Sequence, residues 1–128
     1  MSTRRNHLTG ARWEPIVGYS RAVRAGNLIE VSGTVSLKEG VPYGTGDVRL
    51  QTKRILEIIE ESLVALDATR HDIIRTRMFI TDISRWEEAA GEHGLFFEGI
   101  QPATSMVEVS KLIDPAFLIE IEATAIVL

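Results

Sequence analysis

Three carboxylates near the C-terminus, Glu108, Glu120 and Glu122, are spaced to do acid–base chemistry. Glu120 and Glu122 sit two residues apart in an alternating run, so in a strand they point the same way. If the last two strands are neighbours, Glu108 joins them on one sheet face. Carboxylates crowded in a shielded place raise one another's pKa and can serve as general acid or base. The plainer alternative is a solvated face on which Arg75, Arg77 or Lys111 pairs with them. Ser32, at a strand end before Gly33, and His93 have the residue types of a nucleophile and its base. No Gly-x-Ser-x-Gly elbow surrounds that serine, which argues against a serine hydrolase.

Other chemistries find no support. The chain has no cysteine, which excludes disulfides, thiolate nucleophiles and zinc–thiolate sites. His7, His71 and His93 are scattered rather than clustered, so no metal site is expected. No Gly-Lys-Ser/Thr occurs, and the glycines between Gly40 and Gly46 do not open a helix in the dinucleotide-binding pattern. No cofactor is expected.

The elements that must position these residues follow from periodicity. Leu28 to Gly33 reads as a strand running into a small-residue turn, and Glu39 to Gly46 as a loop marked by glycines and a proline. Asp47 is placed as an N-cap. From Val48 to about Asp67, Ile55, Ile59, Leu63 and Leu66 recur at helical spacing, Leu56 widens the stripe, and Arg49, Lys53, Glu57, Glu60 and Glu61 populate the other face. A strand follows over about 72–82, with Ile74, Met78 and Ile80 alternating against Arg75, Arg77 and Phe79. A weaker helix runs from about Trp86 to Gly99, with Ser84 as its candidate cap; Gly91 and Gly94 each cost it about 1 kcal/mol relative to alanine. Ala103 to Ser110 and Leu118 to Leu128 are the last two strands. In the final strand Ile119, Ile121, Ala123, Ala125 and Val127 share one face, and Glu120, Glu122, Thr124 and Ile126 the other.

This order predicts an α+β sandwich, with two helices on one face of a single sheet. The second sheet face is mixed, carrying carboxylates yet ending in Ile126 and Leu128, and such a face is often buried by another subunit. The 128 residues fit one domain, and 45% hydrophobic residues argue against disorder. Residues 1–12 are expected to form a flexible tail, with Arg4 and Arg5 solvated. A formal net charge of −4 without a basic cluster argues against nucleic acid as a partner. No apolar run approaches the ~20 residues of a membrane span, and no apolar stretch follows the N-terminal charges. The expected location is the cytoplasm, with no membrane partner.

Several spaced segments together resemble the RidA (YjgF-type, reactive intermediate deaminase) family. Gly18-Tyr19-Ser20-Arg21-Ala22 resembles its Gly-Pro-Tyr-Ser-Gln-Ala segment, and Val31-Ser32-Gly33 the Ser-Gly that ends the following strand. Met78-Phe79-Ile80-Thr81-Asp82 resembles the strand after the first helix. Phe96-Phe97 followed by Pro102-Ala103-Thr104-Ser105-Met106-Val107-Glu108-Val109 resembles the Pro-Ala-Arg-Ser-x-Val-Glu-Val signature. Ile119-Glu120-Ile121-Glu122-Ala123 resembles the C-terminal Val/Ile-Glu-Ile-Glu-Ala. The match runs from about residue 15 to the C-terminus, and its specificity lies in joint order and spacing.

The resemblance implies a chorismate-mutase-like fold: one mostly antiparallel sheet with two helices on one face, assembled as a homotrimer around a central barrel. Small-molecule clefts then lie between subunits. It also implies roles. Glu120 is the expected catalytic residue, steering the hydrolytic water; the Gly33 amide, next to Ser32, contacts the substrate, and Tyr19 lines the pocket. In the active deaminases an arginine after Pro-Ala pairs with the carboxylate of a 2-imino or enamine acid. Here Thr104 stands in its place. A guanidinium binds a carboxylate through two parallel charge-assisted hydrogen bonds, whereas Thr104 offers one neutral hydroxyl. The second helix also differs, with Ala90 for a common Asn and His93 for a Tyr. Arg21, where the family usually has Gln, could restore a positive charge from another direction, and His93 is a candidate general acid or base. The implied function is hydrolysis or deamination of a small imine, enamine or related reactive metabolite, with weak or lost activity on 2-imino acids. The alternative is a non-catalytic small-ligand-binding or chaperone-like trimer.

Overall fold

The computed structural model describes residues 3–128. One six-stranded sheet runs in the order β1-β2-β3-β8-β6-β7, built from β1 (Arg4–His7), β2 (Ala22–Ala25), β3 (Leu28–Thr34), β6 (Ile73–Ile80), β7 (Ala103–Glu108) and β8 (Ile119–Ile126). All its pairs are antiparallel except β6–β7. A two-residue hairpin, β4 (Leu37–Lys38) with β5 (Val41–Pro42), interrupts the loop before the long helix. The helices are α1 (Trp13–Val17), α2 (Val48–Ala65) and α3 (Trp86–Phe96). The α+β class with two main helices against one sheet is as expected.

The long helix forms where its periodicity places it. The Asp47 side chain accepts from the Leu50 amide at 2.9 Å, satisfying one of the donors left open at a helix start. Ile55, Leu56, Ile59, Leu63 and Leu66 are all buried against the sheet. They meet the apolar face of β8, where Ile119, Ile121, Ala123 and Ala125 are likewise buried, as their alternation predicts. Full burial of a side chain such as Ile119 or Ile121 stabilises by roughly 1.5–3 kcal/mol. Buried Gln51 reaches from α2 to set the start of β8: its Nε2 donates to the Ala116 carbonyl at 2.9 Å, and its Oε1 accepts from the Leu118 amide at 2.9 Å.

Four expectations are corrected. Residues 4–7, read as part of a flexible tail, form β1 and pair with β2 from Arg4↔Ala25 to His7↔Ala22; Met1 and Ser2 lie outside the described residues. The last two strands are not neighbours, because β6 lies between them, so Glu108 does not join Glu120 and Glu122. Instead the Glu108 carboxylate accepts from the Ile83 amide at 3.0 Å. In β6 a register shift between Ile73 and Arg75 turns Ile74 out to solvent and buries Ile73 and Thr76 with Met78 and Ile80. Ser84 does not cap α3; it donates through its amide and hydroxyl to Asp82, which caps a 3-10 turn over Ile83–Arg85.

Candidate functional site

The carboxylate of Glu120 lies against Gly33. β3 and β8 pair through Val31↔Ala123 and Thr34↔Ile121, and the shift between these pairs takes Ser32 and Gly33 off the regular ladder. A Cβ built on Gly33 would collide with Oε2 of Glu120, so only glycine leaves room for that carboxylate. On its other side Gly33 is held through its carbonyl, which accepts from Nη2 of Arg21 at 2.7 Å. Arg21 is 6% exposed, and among the described residues its Nε has no hydrogen-bond partner. Its guanidinium carbon is 5.5 Å from the centroid of the Tyr19 ring, a distance at which the cation is attracted to the π face. Ser32 is tied back by its hydroxyl, which donates to the Ser20 carbonyl at 2.7 Å. It is thus a structural link rather than a free nucleophile, and His93 is not its partner.

Charges in this cluster oppose one another. Burial pushes the Glu120 carboxyl above its ordinary value; the Arg21 charge pulls it part of the way back, and Glu122 adds a push upward. Burial also lowers the Arg21 guanidinium, against the influence of Tyr19, Glu14 and Glu120. Glu122 does not crowd Glu120 freely, because its Oε1 is 3.5 Å from Nη1 of Arg77. That is the salt-bridged alternative read from the sequence, realised for one carboxylate of the three.

Glu14 belongs to the same neighbourhood, and no motif or spacing marks it in the sequence. It is 4% exposed and organises the loop before α1, accepting from the Thr9 hydroxyl at 2.6 Å and from the Thr9 and Gly10 amides at 3.1–3.2 Å. Burial alone would raise its pKa, but these hydrogen bonds and the Arg21 charge outweigh it and hold the carboxyl below its ordinary value. The Tyr19 amide donates to the Glu14 carbonyl at 3.1 Å, so the ordered loop and Tyr19 are one unit.

Thr104 and His93 form a second cluster. The Thr76 hydroxyl lies 2.8 Å from Nε2 of His93 and 2.7 Å from the hydroxyl of Thr104. His93 is 8% exposed and its ring is 4.6 Å, centroid to centroid, from Phe97. Burial lowers its pKa, favouring the neutral ring. Within one chain this cluster does not meet the first. Thr104 pairs with Thr76, which pairs with Ala123, three residues along β8 from Glu120 and on the opposite sheet face by alternation.

The arrangement sets a carboxylate of raised pKa, a group able to exchange a proton, beside a buried cation. Among the described residues no group of three or more His, Asp or Glu side chains could hold a metal ion, and no helix is long and apolar enough to cross a membrane.

Residues 9–127 match the family model described as endoribonuclease L-PSP. The chain belongs to the YjgF/RidA family. A crystal structure of a YjgF/YER057c/UK114 family member from Mycobacterium tuberculosis superposes with a TM-score of 0.89 at 45% identity, covering 97% of this chain and 99% of that one. A RutC family protein of Pyrococcus abyssi is 33% identical over 113 residues, 88% of each chain. A protein named 3-aminoacrylate deaminase RutC, from Acinetobacter baylyi, is 30% identical over 112 residues, 87% of this chain and 88% of its own length. For this YjgF/RidA member the matched region begins before α1, so it takes in the Glu14-anchored loop that the sequence resemblance, starting near residue 15, leaves out.

Proposed function

We propose that this protein hydrolyses a small imine or enamine, with Glu120 as the group that handles the attacking water. The observation that carries the reading is the Glu120 carboxylate laid against Gly33, with Arg21 fixing the Gly33 carbonyl from the other side. A carboxylate whose pKa is raised by burial is a better general acid and base near neutral pH.

Glu120 takes a proton from water as its oxygen bonds to the carbon of a protonated imine. The carbinolamine so formed takes that proton back on nitrogen; Glu120 accepts the hydroxyl proton as the C–N bond breaks and returns it to the departing ammonia, so that ammonium and a carbonyl compound leave. An enamine enters the same path after tautomerising to its imine. Tyr19 bounds the pocket and Arg21 supplies fixed positive charge beside the carboxylate. The name carried by the Acinetobacter relative, 3-aminoacrylate deaminase, supports an enamine-type substrate. The formal charge of −4 argues against RNA as substrate.

In this reading the working unit is a cytoplasmic homotrimer whose clefts lie between subunits. Supporting it are the mixed face of β8 and the separation of Thr104 from Glu120 within a single chain. Thr104 in place of an arginine weakens the hold on a substrate carboxylate; losing one partner of a buried charge pair costs on the order of 2–5 kcal/mol, or roughly 30-fold to several-thousand-fold. The same residue favours a second reading, a trimer that binds small ligands without turning them over.

The test is turnover of 2-iminopropanoate and 2-iminobutanoate, generated in situ, by wild type, Thr104→Arg and Glu120→Gln. Weak wild-type activity, gained in Thr104→Arg and lost in Glu120→Gln with assembly unchanged, is expected. Full activity in Glu120→Gln removes that residue from the mechanism. Small-molecule binding without turnover of any imine tested, by wild type or Thr104→Arg, supports the binding-only reading.

A further inference from the structure

Thr76 is buried completely, yet its hydroxyl has two hydroxyl or imidazole neighbours and one proton to give. Its proton can go to only one of them, so the other must donate to it. Two arrangements result. In one, Nε2–H of His93 donates to Thr76 and Thr76 donates to Thr104, leaving the Thr104 hydroxyl proton free to point outward. In the other, Thr104 donates to Thr76 and Thr76 to Nε2 of His93, leaving Thr104 with lone pairs outward. In both the Thr104 oxygen is held in place by a buried chain, carries no charge, and stands at the exposed end of that chain.

A buried histidine satisfied by a threonine would by itself be an ordinary core contact. What exceeds that role is the third member, an exposed hydroxyl on the sheet's edge strand β7, which the core does not need. No cation of β6 or β7 is turned toward it. The arginines level with it on the neighbouring strand, Arg75 and Arg77, point to the opposite sheet face by alternation, where Nη2 of Arg75 donates to Ser105 at 2.8 Å and Arg77 pairs with Glu122. Behind His93 lie Phe97 and, edge-on to it at 4.8 Å, Phe96; the Arg70 guanidinium, 4.0 Å from the Phe96 ring, is paired with Glu60 at 2.6 and 2.7 Å. A carboxylate brought against Thr104 would lose water without gaining a counter-charge from the strands that carry it, which is costly. An uncharged amide loses less and can meet either arrangement, through its carbonyl oxygen or its N–H.

We infer that Thr76 and His93 are specificity-determining positioning residues: they hold Thr104 as a neutral hydrogen-bonding group, so the site takes imines or enamines bearing an uncharged amide. The inference rests on the proposed function in taking Thr104 as part of the ligand cleft. The chemistry at Glu120 is separate from it.

The probes are pyruvamide and pyruvate, near-isosteric molecules differing in that charge. Binding is measured calorimetrically on the purified protein, and the His93 ring is followed through its 15N resonances. Wild type is expected to bind pyruvamide about tenfold more tightly than pyruvate, with the Nε2 resonance moving on binding. Thr104→Val, at an exposed position, should weaken pyruvamide by about 2- to 12-fold, the worth of one neutral hydrogen bond, and leave the Nε2 resonance unmoved. Thr76→Val should do the same and Thr76→Ser should rescue it. Equal or tighter binding of pyruvate overturns the inference. So does pyruvamide binding indifferent to Thr104→Val, or binding of neither probe. Absence of imine turnover alongside a retained amide preference strikes the proposed chemistry and leaves this specificity standing.

Discussion

The Glu120 carboxylate occupies the space where any residue other than glycine at position 33 would carry its Cβ. The obstruction is the far end of a flexible side chain, so Gly33→Ala should leave the sheet intact and push the carboxylate away. Imine turnover should fall by at least tenfold while the melting temperature changes by only a few degrees. Full turnover in Gly33→Ala would show that the close approach does not matter to catalysis.

Glu120 also predicts a pH dependence. Its pKa is higher in the folded protein than the ordinary 4.5, burial being the main cause. The folded state therefore holds the proton to higher pH than the unfolded chain, and stability falls as pH rises from about 4.5 through the folded value. Glu120→Gln should melt above wild type at pH 7, and the gap should close below pH 4.5. Thermal melts of both proteins from pH 4 to 8 check this; a lower melting temperature for Glu120→Gln at pH 7 would contradict it.

His93 carries the opposite sign. Burial lowers its pKa below the ordinary 6.5, so the unfolded chain takes up a proton first as pH falls. The stability present above pH 6.5 is then lost progressively toward the folded value. Substituting His93→Gln, which keeps a donor and an acceptor for Thr76, should flatten the acid side of the melting profile below pH 6.5. An unchanged slope would place the acid sensitivity elsewhere.

Glu14 ties the loop before α1 to Tyr19 through its own backbone and side chain. Removing the carboxylate in Glu14→Ala leaves the Thr9 and Gly10 donors without their acceptor, at a cost on the order of 1–3 kcal/mol. Chemical denaturation should show that loss, and hydrogen exchange should show the Thr9 and Gly10 amides opening before the sheet does.

The parts of this fold legible in the sequence are those where a single period runs long enough. α2 and β8 each repeat one spacing over several turns or pairs, and the Asp47 cap stands where the apolar stripe begins. β1 was hidden because Arg4, Arg5, Asn6 and His7 show no apolar alternation; they are a polar edge, held by pairing to β2 and by Arg5, which reaches the Asp67 carboxylate at 2.8 Å and the Leu66 carbonyl at 2.9 Å. The bulge that exposes Ile74 depends on which strand β6 meets, and a period cannot show that. Within the candidate site, Glu120, Gly33, Tyr19 and Arg21 could be gathered by resemblance, and the structure brings them together. Thr76 could not, since a threonine in a strand has no signature until the histidine above it and the threonine beside it are both in place. Glu14 was silent for the same reason: its partners are backbone amides.

β8 is the last strand in chain order, yet it lies in the middle of the sheet, between β3 and β6. As the polypeptide emerges from a ribosome, β1, β2 and β3 can associate, and β6 and β7 can associate, but neither group has a partner for its inner edge. Two open ladders therefore wait for a segment made about forty residues after β6 ends, and the Glu120–Gly33 contact cannot exist until that segment arrives. Such nascent edges are sites where chains pair wrongly. Ribosome-bound intermediates ending before residue 119 should accordingly be sticky and devoid of the candidate site, and both properties should vanish together once β8 clears the exit tunnel.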